Sequence, residues 1–490
     1  MKLVLKPVAL SVFVWILLAA MLSSCSSTGP KQLVGSGLVL DNVTVVSTRD
    51  GSLAPKQALL IQDGKVTSVV AAGTLETTGT AQWVDGTGKY LVPGFLDMHV
   101  HSLQAADKPV TFWPLLIANG ITGVREMAGS AALIQRVKKL NEDSAAGRVD
   151  APEVLQVPGE LFGAPLPPPR LQQMVRDQTE QGASFIKLVG SSRDGALAIL
   201  AQAKQSGLGV AGHIPLGISA LEASNAGMRA IEHAGAGLTL LLDCSTEEAA
   251  VRQAMLAGGP APFNPLAVLS PMLLRAPDAP FFQRVMNSYN ADKCAALAKT
   301  FAANGTWQVP TLIRLRTMNL GGDNSYRTDP NLKYVEPATR ALWERLGQQF
   351  ATTMPATAAQ TFAQYYAWQQ KLPRLMQDNG VKMLTGSDLG GIWVVPGFSL
   401  HQEFKELATG GLSPLQILQM ATLNGAEFLG RQSSMGTVEA GKNADLVLLD
   451  ANPLESADNL GKIAGVFLRG KYFNKAALDK LKSDVEAAYK

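Results

Sequence analysis

The middle of the chain alternates short apolar runs with stretches in which apolar residues recur at helical spacing. The short runs favour buried strands, and stretches such as Gly195–Gln205 and Ile218–Ala226 favour helices. A regular alternation of the two is typical of βα units with a parallel sheet. The candidate strands are Gly94–Val100, Thr122–Glu126, Glu153–Val157, Phe185–Val189, Gly209–His213, Ala230–His233, Thr306–Leu312 and Lys382–Thr385. Eight such units predict an α/β fold, a (β/α)₈ TIM-like barrel.

Both ends of the chain have a different pattern, rich in strand-like and turn-like residues. Near the N-terminal end, Asp63-Gly64 between two apolar runs is a strong hairpin signal. Ala444–Leu449 and Val466–Leu468 have the same strand-like character near the other end. We therefore predict a small composite β-sandwich domain formed by both chain ends. The expected organisation is a signal peptide (1–24), a tether (25–35), the sandwich (36–92 and 431–490, with a final helix) and the barrel (93–430).

The first residues indicate export. Lys2 and Lys6 precede an apolar run, Val8–Met21, that is too short for a comfortable membrane span and is typical of a signal peptide. The tetrapeptide Leu22–Cys25 resembles a bacterial lipobox, in which the cysteine is lipidated and becomes the first residue of the mature protein. An ordinary signal peptide with a chance cysteine is the alternative. The lipobox predicts a membrane-anchored lipoprotein on the periplasmic face of the bacterial outer membrane.

Composition narrows the function classes. The 490 residues are 47% hydrophobic and 17% charged, so a large core is feasible and global disorder is not expected. A formal net charge of +3 gives no electrostatic reason to expect a nucleic-acid partner. Apart from Cys25, the chain has only Cys244 and Cys294. In an exported protein these two form either a disulfide or two buried thiols, and the sequence leaves both open, as it does homo-oligomerisation.

The polar residues at the predicted strand ends carry the candidate chemistry. His99 and His101 form a His-x-His pair, and residues i and i+2 of a strand point to the same face. The others are Lys187 within the fourth strand, His213 and His233 at the ends of the fifth and sixth, and Asp388 just after the eighth. Each alone is more often structural, but in a barrel the strand ends meet at one mouth. Together they predict a metal site.

These residues are also where the chain resembles the amidohydrolase superfamily. The segment Val92–His101 is similar to the first-strand signature of that family, and Ile231–His233, Thr385–Asp388 and Gly436–Leu446 continue the similarity in order. The resemblance spans nearly all of residues 36–470. Within the superfamily it is greatest to the imidazolonepropionase-like, Xaa-Pro dipeptidase (prolidase-like) branch, because of Gly397–Glu403 and the Pro310–Leu312 segment.

The resemblance implies a metal centre with two divalent ions, most simply Zn²⁺. It implies that His99, His101 and Asp388 hold one ion and that His213 and His233 hold the other. Lys187, carboxylated by carbon dioxide, would bridge them. Burial in an apolar barrel favours the neutral amine that such carboxylation requires. Two ions lower the pKa of a bridging water, and Asp388 can then act as base and acid in turn.

Four further residues are secondary candidates. Asp97 is expected to orient a metal ligand. Arg125 and Arg314, near the second and seventh strand ends, are candidates to bind a substrate carboxylate, with a structural salt bridge as the alternative. His401 either contacts substrate or supports a helix start.

The expected activity is hydrolysis of an amide or peptide C–N bond in a small substrate, a dipeptide or an N-acyl amino acid. A cyclic amidase resembling imidazolonepropionase is one alternative, and a lactonase or esterase is another. A surface lipoprotein that binds a solute or a metal without turnover is the non-enzymatic alternative. A binding protein would not need Asp388 as a base, which favours the enzyme.

Overall fold

The protein is described here by a computed structural model covering residues 31–103, 112–258 and 270–490. The predicted signal peptide, Cys25 and most of the tether lie outside these residues. The strands are β1 Gln32–Val34, β2 Leu38–Val46, β3 Leu53–Gln62, β4 Lys65–Ala71, β5 Leu75–Thr77, β6 Gln82–Asp85, β7 Tyr90–Pro93, β8 Phe95–Val100, β9 Ile121–Glu126, β10 Glu153–Gln156, β11 Ile186–Leu188, β12 Val210–Gly212, β13 Met228–Glu232, β14 Trp307–Val309, β15 Leu446–Leu449, β16 Ile463–Leu468 and β17 Lys471–Asn474.

The described helices lie mostly between and after the central strands. They are α1 Phe112–Ala118, α2 Ala131–Ala145, α3 Pro168–Glu180, α4 Arg193–Gln205, α5 Ala220–Asn225, α6 Thr239–Asp243, α7 Glu248–Ala257, α8 Ala279–Asn287, α9 Ala291–Asn304, α10 Leu312–Asn319, α11 Pro337–Thr353, α12 Ala356–Gln369, α13 Leu372–Asp378, α14 Phe398–Thr409, α15 Pro414–Ala421, α16 Leu423–Phe428 and α17 Lys475–Ala488. Among the described residues, no helix combines the length and the apolar composition that a membrane span requires.

Strands from both chain ends share one sheet of eight strands. Its order is β17-β16-β15-β7-β2-β3-β4, and β6 pairs with β2. The junction between the two ends is the antiparallel pairing of β15 with β7, from Leu446 opposite Pro93 to Leu449 opposite Tyr90. The smaller parallel pair of β1 and β5 forms a separate sheet and packs against the larger one through Val34 and Leu75. A shared sheet is therefore observed, whereas a sandwich of two facing sheets stays a prediction.

The Asp63-Gly64 hairpin is confirmed. Strands β3 and β4 pair antiparallel, with Gln62 opposite Lys65, so that only Asp63 and Gly64 form the turn. Both turn residues have positive φ, 48° and 74°. A two-residue turn of this kind matches the twist of the flanking strands, and aspartate and glycine tolerate the backbone conformation that it needs.

The central strands are all parallel and form two sheets, β10-β9-β8 and β11-β12-β13-β14. On one side, the amide of Ser184 donates to the carbonyl of Val157 at 2.9 Å and bridges β10 to β11. On the other, residues 382–385 lie between β14 and β8: the Leu384 amide donates to Gln308 at 2.9 Å, and the Met98 amide donates to Thr385 at 2.9 Å. This α/β arrangement is consistent with a TIM-like barrel.

Two predicted strands differ from what is observed. Residues 382–385 make one bridge to β14 and hydrogen bonds to both neighbours but do not form a regular strand. The seventh predicted strand ends at Val309 instead of Leu312, because α10 already begins at Leu312. Thr311, directly before that helix, has the left-handed backbone conformation (φ 45°, ψ 50°), which turns the chain away from the strand direction.

A disulfide joins Cys244 to Cys294, two positions that the sequence left open between a bridge and free thiols. Cys244 directly follows α6, Cys294 lies in α9, and 50 residues separate them along the chain. Both cysteines are fully buried. The bond therefore closes the helical insertion between β13 and β14 into a loop, which restricts the unfolded chain.

We predict that Cys244→Ser combined with Cys294→Ser lowers the free energy of unfolding by about 2–4 kcal/mol, because the unfolded chain regains the entropy of an open loop. Denaturant unfolding under non-reducing conditions measures the change, and the same measurement on the parent protein after reduction is the control. An equally stable double variant, or free thiols detected in the unfolded parent protein, would contradict the bridge.

Candidate metal centre

The residues predicted from the sequence come together at the carboxyl ends of the parallel strands. His99 lies in β8 and His101 directly after it, while Lys187 lies in the middle of β11. The other three follow their strands: His213 after β12, His233 after β13, and Asp388 three residues beyond the segment 382–385. Because the strands are parallel, their carboxyl ends face one edge, where the six side chains meet.

The carboxylate of Asp388 is at the centre of this group. Its Oδ1 lies 3.2 Å from Nε2 of His99 and 3.2 Å from Nε2 of His101. Its Oδ2 lies 4.0 Å from Nε2 of His233. The rings of His213 and His233 have centroids 5.1 Å apart, so His213 completes the group next to His233. One ligand atom each from His99, His233 and Asp388 lies within 4.8 Å of the others.

Several polar atoms in this group are buried without a hydrogen-bond partner. Nζ of Lys187 is one of them, and Nε2 of His99 and Oδ1 of Asp388, although 3.2 Å apart, are not in hydrogen-bond geometry. Leaving one buried polar atom unsatisfied costs about 1–3 kcal/mol, so such atoms are rare in native proteins. Imidazole nitrogens and a carboxylate oxygen are ligands of divalent cations such as Zn²⁺. The residues present therefore fit a metal site.

The electrostatics keep these groups in the forms that bind metal. Burial lowers the pKa of His213 to about 3 and that of His233 well below its usual value, so both imidazoles are neutral. Burial opposes a charge on Asp388, but the imidazoles of His233 and His99 hold its pKa well below the usual range. Neutral imidazole and ionised carboxylate are the ligating forms of these side chains.

Lys187 has an unusual environment for a lysine. Its side chain is buried in β11, and burial lowers the pKa of the amine to about 8. At neutral pH a larger fraction of this amine is uncharged than for an exposed lysine, whose pKa is about 10.4. An uncharged amine is the nucleophilic form of lysine.

Glu232, which was not predicted as a site residue, contacts His99 on the side of the ring away from Asp388. Its Oε2 lies 2.7 Å from Nδ1 of His99, and its Oε1 accepts a hydrogen bond from Nη2 of Arg125 at 2.7 Å. Burial alone would raise the pKa of Glu232, but Arg125 and His99 lower it to about 2. A carboxylate on Nδ1 orients the ring and leaves Nε2 for a metal. The signal in the sequence is a carboxylate at the end of a buried strand, where an unpaired charge is costly.

Arg125 lies beneath the centre. It is fully buried, donates through Nε to the carbonyl of Met98 at 2.7 Å, and forms an ion pair with Glu232. The prediction that Arg125 binds a substrate carboxylate at the metal centre does not fit this placement. The alternative, a structural salt bridge, is what the structure has.

Of the other two predicted substrate contacts, Arg314 lies at the centre and His401 lies away from it. Arg314 is buried beside the centre and donates through Nε to Oδ2 of Asp388 at 3.1 Å. His401 lies away from it: Nε2 donates to the carbonyl of Asn119 at 2.9 Å, and the ring packs edge-on against Phe95 and Phe404. His401 therefore connects α14 to the residue after α1 and lies away from the other site residues, which does not fit its prediction as a substrate contact at the metal centre.

Asp97 holds the backbone of the site in place, and Thr311 contacts the candidate ligand His233. Asp97 accepts hydrogen bonds from the amide of Ser387 at 2.9 Å and from the amide of His99 at 3.3 Å. It thereby joins the two chain segments that carry His99 and Asp388, while its role in orienting a metal ligand stays a prediction. The hydroxyl of Thr311, which the sequence analysis did not consider, lies 2.6 Å from Nδ1 of His233.

The backbone of the site is strained. Asp388, His233, Ala234 and Thr311 all have positive φ, between 45° and 56°. Non-glycine residues in this region each cost of order 1–3 kcal/mol and persist only where the surroundings hold them. The concentration of such residues around the centre supports a functional site rather than a merely structural cluster.

Residues 369–473 match the sequence model of the Amidohydrolase family. That segment contains Asp388 and the return into the shared sheet. This match adds to the similarity that the motifs of the chain have to amidohydrolases. Such enzymes are hydrolases that act on C–N bonds and typically bind divalent metal ions.

The curated relatives match this chain over short stretches. It is 32% identical over 94 residues to adenine deaminase 2 of Shouchella clausii, a match that covers 18% of the chain and 16% of that relative. It is 27% identical over 188 residues to adenine deaminase of Listeria welshimeri, covering 36% and 31% respectively. With imidazolonepropionase of Shouchella clausii it shares 50% identity over 40 residues, covering 8% of the chain and 9% of the relative. The chain thus spans less than a third of each of these relatives.

Solved structures match this chain over most of its length. Bottromycin amidohydrolase has a TM-score of 0.70 and 21% identity, with 92% of this chain and 90% of that chain covered. A Xaa-Pro dipeptidase with bound methionine has a TM-score of 0.61 and 17% identity, with 90% and 100% covered. At these identities the likeness concerns the fold alone.

We predict that Glu232→Gln weakens metal binding about 10–100-fold, because the neutral amide holds the His99 ring less firmly and leaves the charge of Arg125 uncompensated. A competition titration against a chelator of known affinity measures the change. Glu222→Gln is the matched control, since Glu222 forms its ion pair with Arg193 on the surface. Equal metal affinity in Glu232→Gln and the parent protein would remove Glu232 from the support of the centre.

Proposed function

We propose that this protein is a binuclear metal-dependent amidohydrolase that cleaves an amide or peptide C–N bond in a small substrate, a dipeptide or an N-acyl amino acid. The observation that carries the proposal is the convergence of four histidines, Lys187 and Asp388 on one buried site with unpartnered ligand atoms. A purely structural cluster would pair those atoms, since unsatisfied polar atoms destabilise a core.

The proposed ligand set divides between two ions, most simply Zn²⁺. His99, His101 and Asp388 would hold one ion, and His213 and His233 the other. Lys187 would join them after its amine has reacted with carbon dioxide, which gives an anionic ligand with two oxygens. When bound, the ions supply an activated water and polarise the scissile carbonyl.

Asp388 is proposed as the residue that moves the proton. Its carboxylate is within 3.2 Å of two imidazole nitrogens and is held by Arg314, so its position is fixed. It accepts the proton of the attacking water and delivers it to the leaving nitrogen. A carboxylate serves both steps because it is the base first and the acid afterwards.

The choice of an amide rests on the structural neighbours, several of which are described as prolidases or as a Xaa-Pro dipeptidase. The curated matches to adenine deaminases support a second candidate, hydrolytic deamination, in which water also attacks a carbon bound to nitrogen. A cyclic amide or a lactone is the remaining alternative.

The family context further supports a closed eight-stranded barrel over 93–430, with residues 382–385 as the eighth member and the composite sandwich at its side.

The activity test is a panel of dipeptides, N-acyl amino acids, lactones and adenine, assayed with the zinc-loaded protein. We expect turnover of the first two groups. Asp388→Asn should retain much of its metal and lose roughly 10²-fold or more in turnover, because the proton carrier is removed. Near-normal turnover of Asp388→Asn would exclude this role, and turnover of adenine alone would favour the deaminase.

The bridging role of Lys187 has a separate test. Lys187→Ala should lose activity and one of two metal ions, and a short carboxylate such as acetate should partly restore both. Metal content by elemental analysis and the mass of the intact protein, higher by one carbon dioxide when Lys187 is carboxylated, are the measurements. Lys139→Ala, an exposed lysine on α2, is the control. An unmodified Lys187 in active protein with one ion would contradict the bridge.

The location is proposed from Leu22–Cys25, as a lipoprotein tethered to the periplasmic face of the outer membrane. Several acyl chains on Cys25 anchor firmly, where a single chain would be marginal. Cys25→Ser should release the protein from the membrane fraction, or leave the signal peptide uncleaved, without altering the metal content. Mass spectrometry of the mature N-terminus measures it, and an unmodified terminus at another residue would contradict the lipobox.

A further inference from the structure

A second cavity lies at the opposite end of the parallel strands from the metal centre. It has a volume of about 510 Å³. Its walls include Phe185, Gly209 and Gly227, which precede β11, β12 and β13 respectively. The metal-centre residues lie at the carboxyl ends of the same strands. The cavity therefore opens at the amino ends, and nothing in the proposed reaction uses it.

Two buried polar atoms in the cavity walls have no hydrogen-bond partner. In Arg125, Nε and Nη2 are engaged by Met98 and Glu232, while Nη1 has no partner. The side chain of Gln156 contributes the second atom, Oε1. A buried guanidinium nitrogen without a partner is costly, and charge-assisted hydrogen bonds to a carboxylate are among the strongest that it can form.

The charge around the cavity is positive. Besides Arg125, its lining contains Lys204 and Arg229, whose side chains are exposed, and among the described residues no carboxylate lines it. The nearest acid to act on Arg229 is Glu427, which is already paired with Lys382. Since Glu232 compensates only Arg125, the two exposed cations leave the cavity attractive to an anion.

Apart from these groups, Ser184 and Asn225, the wall of the cavity is apolar and aromatic. The guanidinium of Arg125 lies 5.2 Å from the centre of the Phe428 ring, and that of Arg229 lies 5.1 Å from it. Phe185 and Leu208 extend this surface. An inorganic anion would meet the cations but gain nothing from the rings, and an ordered water would fill only a small part of the volume. An anion with an apolar body matches both features.

We infer that this cavity is a binding site for a small organic carboxylate with an apolar or aromatic body. Its carboxylate meets the cations of Arg125 and Arg229, and its apolar part packs on Phe428 and Phe185. A hydroxyl on the ligand can donate to Oε1 of Gln156. The bound carboxylate would be joined to the metal centre through Arg125, Glu232 and His99, which form a continuous chain of hydrogen bonds.

The test uses mandelate, a carboxylate with a phenyl ring and a hydroxyl, in calorimetric titrations of the metal-loaded protein. Mandelamide, its neutral amide, and inorganic phosphate are the comparison ligands. Mandelate should bind at least about tenfold more tightly than either, since one charge-assisted interaction is worth about a factor of ten or more. The double variant Lys204→Gln with Arg229→Gln should weaken mandelate at least about tenfold.

The control is Lys139→Gln with Arg374→Gln, which removes two exposed cations from ion pairs elsewhere on the surface. It should bind mandelate like the parent protein. Equal binding to the Lys204/Arg229 variant and the parent would overturn the site, since binding would then be at the metal centre or elsewhere. Phosphate or mandelamide binding as tightly as mandelate would overturn the ligand class. An equal loss of mandelate affinity in the control variant would also overturn the site, because the effect would then come from the overall charge of the protein.

Discussion

The buried ion pair between Arg125 and Glu232 is the interaction on which the rest of the centre depends. Both side chains are fully shielded from solvent, and together they connect the second and sixth central strands to the ring of His99. Removing one partner of such a pair leaves an uncompensated buried charge, at a cost of about 3–5 kcal/mol. The pair is therefore a weak source of net stability but a strict constraint on geometry. It fixes which nitrogen of His99 faces Asp388.

Around this pair, the site concentrates features that a stable core avoids. Asp388, His233 and Thr311 have positive φ, and Nε2 of His99, Oδ1 of Asp388 and Nζ of Lys187 have no hydrogen-bond partner. The surroundings hold these residues with hydrogen bonds, from the amide of Ser387 to Asp97 and between Thr311 and His233. Strain and unsatisfied ligand atoms in one place are expected where a bound cation completes the interactions. This gives the metal centre a physical rationale that does not depend on any single residue.

The two ends of the central strands have different chemistry. At the carboxyl ends, imidazoles and a carboxylate converge, and burial keeps the imidazoles neutral. At the amino ends, arginine and lysine side chains surround an aromatic wall. Arg125 belongs to both, since it pairs with Glu232 on one side and lines the cavity on the other. A single buried guanidinium thus separates a cation site from a site suited to anions.

The sequence by itself identified the side chains that the fold brings together at the candidate metal centre, and the element types that carry most of them. His99, His101, His213 and His233 were found because strand periodicity and barrel order are local patterns, and the Asp63-Gly64 hairpin because turn chemistry is local as well. Only the tertiary structure decided the roles of Arg125, Glu232 and His401, and the pairing of Cys244 with Cys294. Those roles depend on contacts between residues that are far apart in the chain. The two cysteines are separated by 50 residues, and His401 and Asn119 by 282. Arg125 and Glu232 are a further example. Burial and partners set the chemistry of a charged side chain, and neither can be read from the residues that precede and follow it.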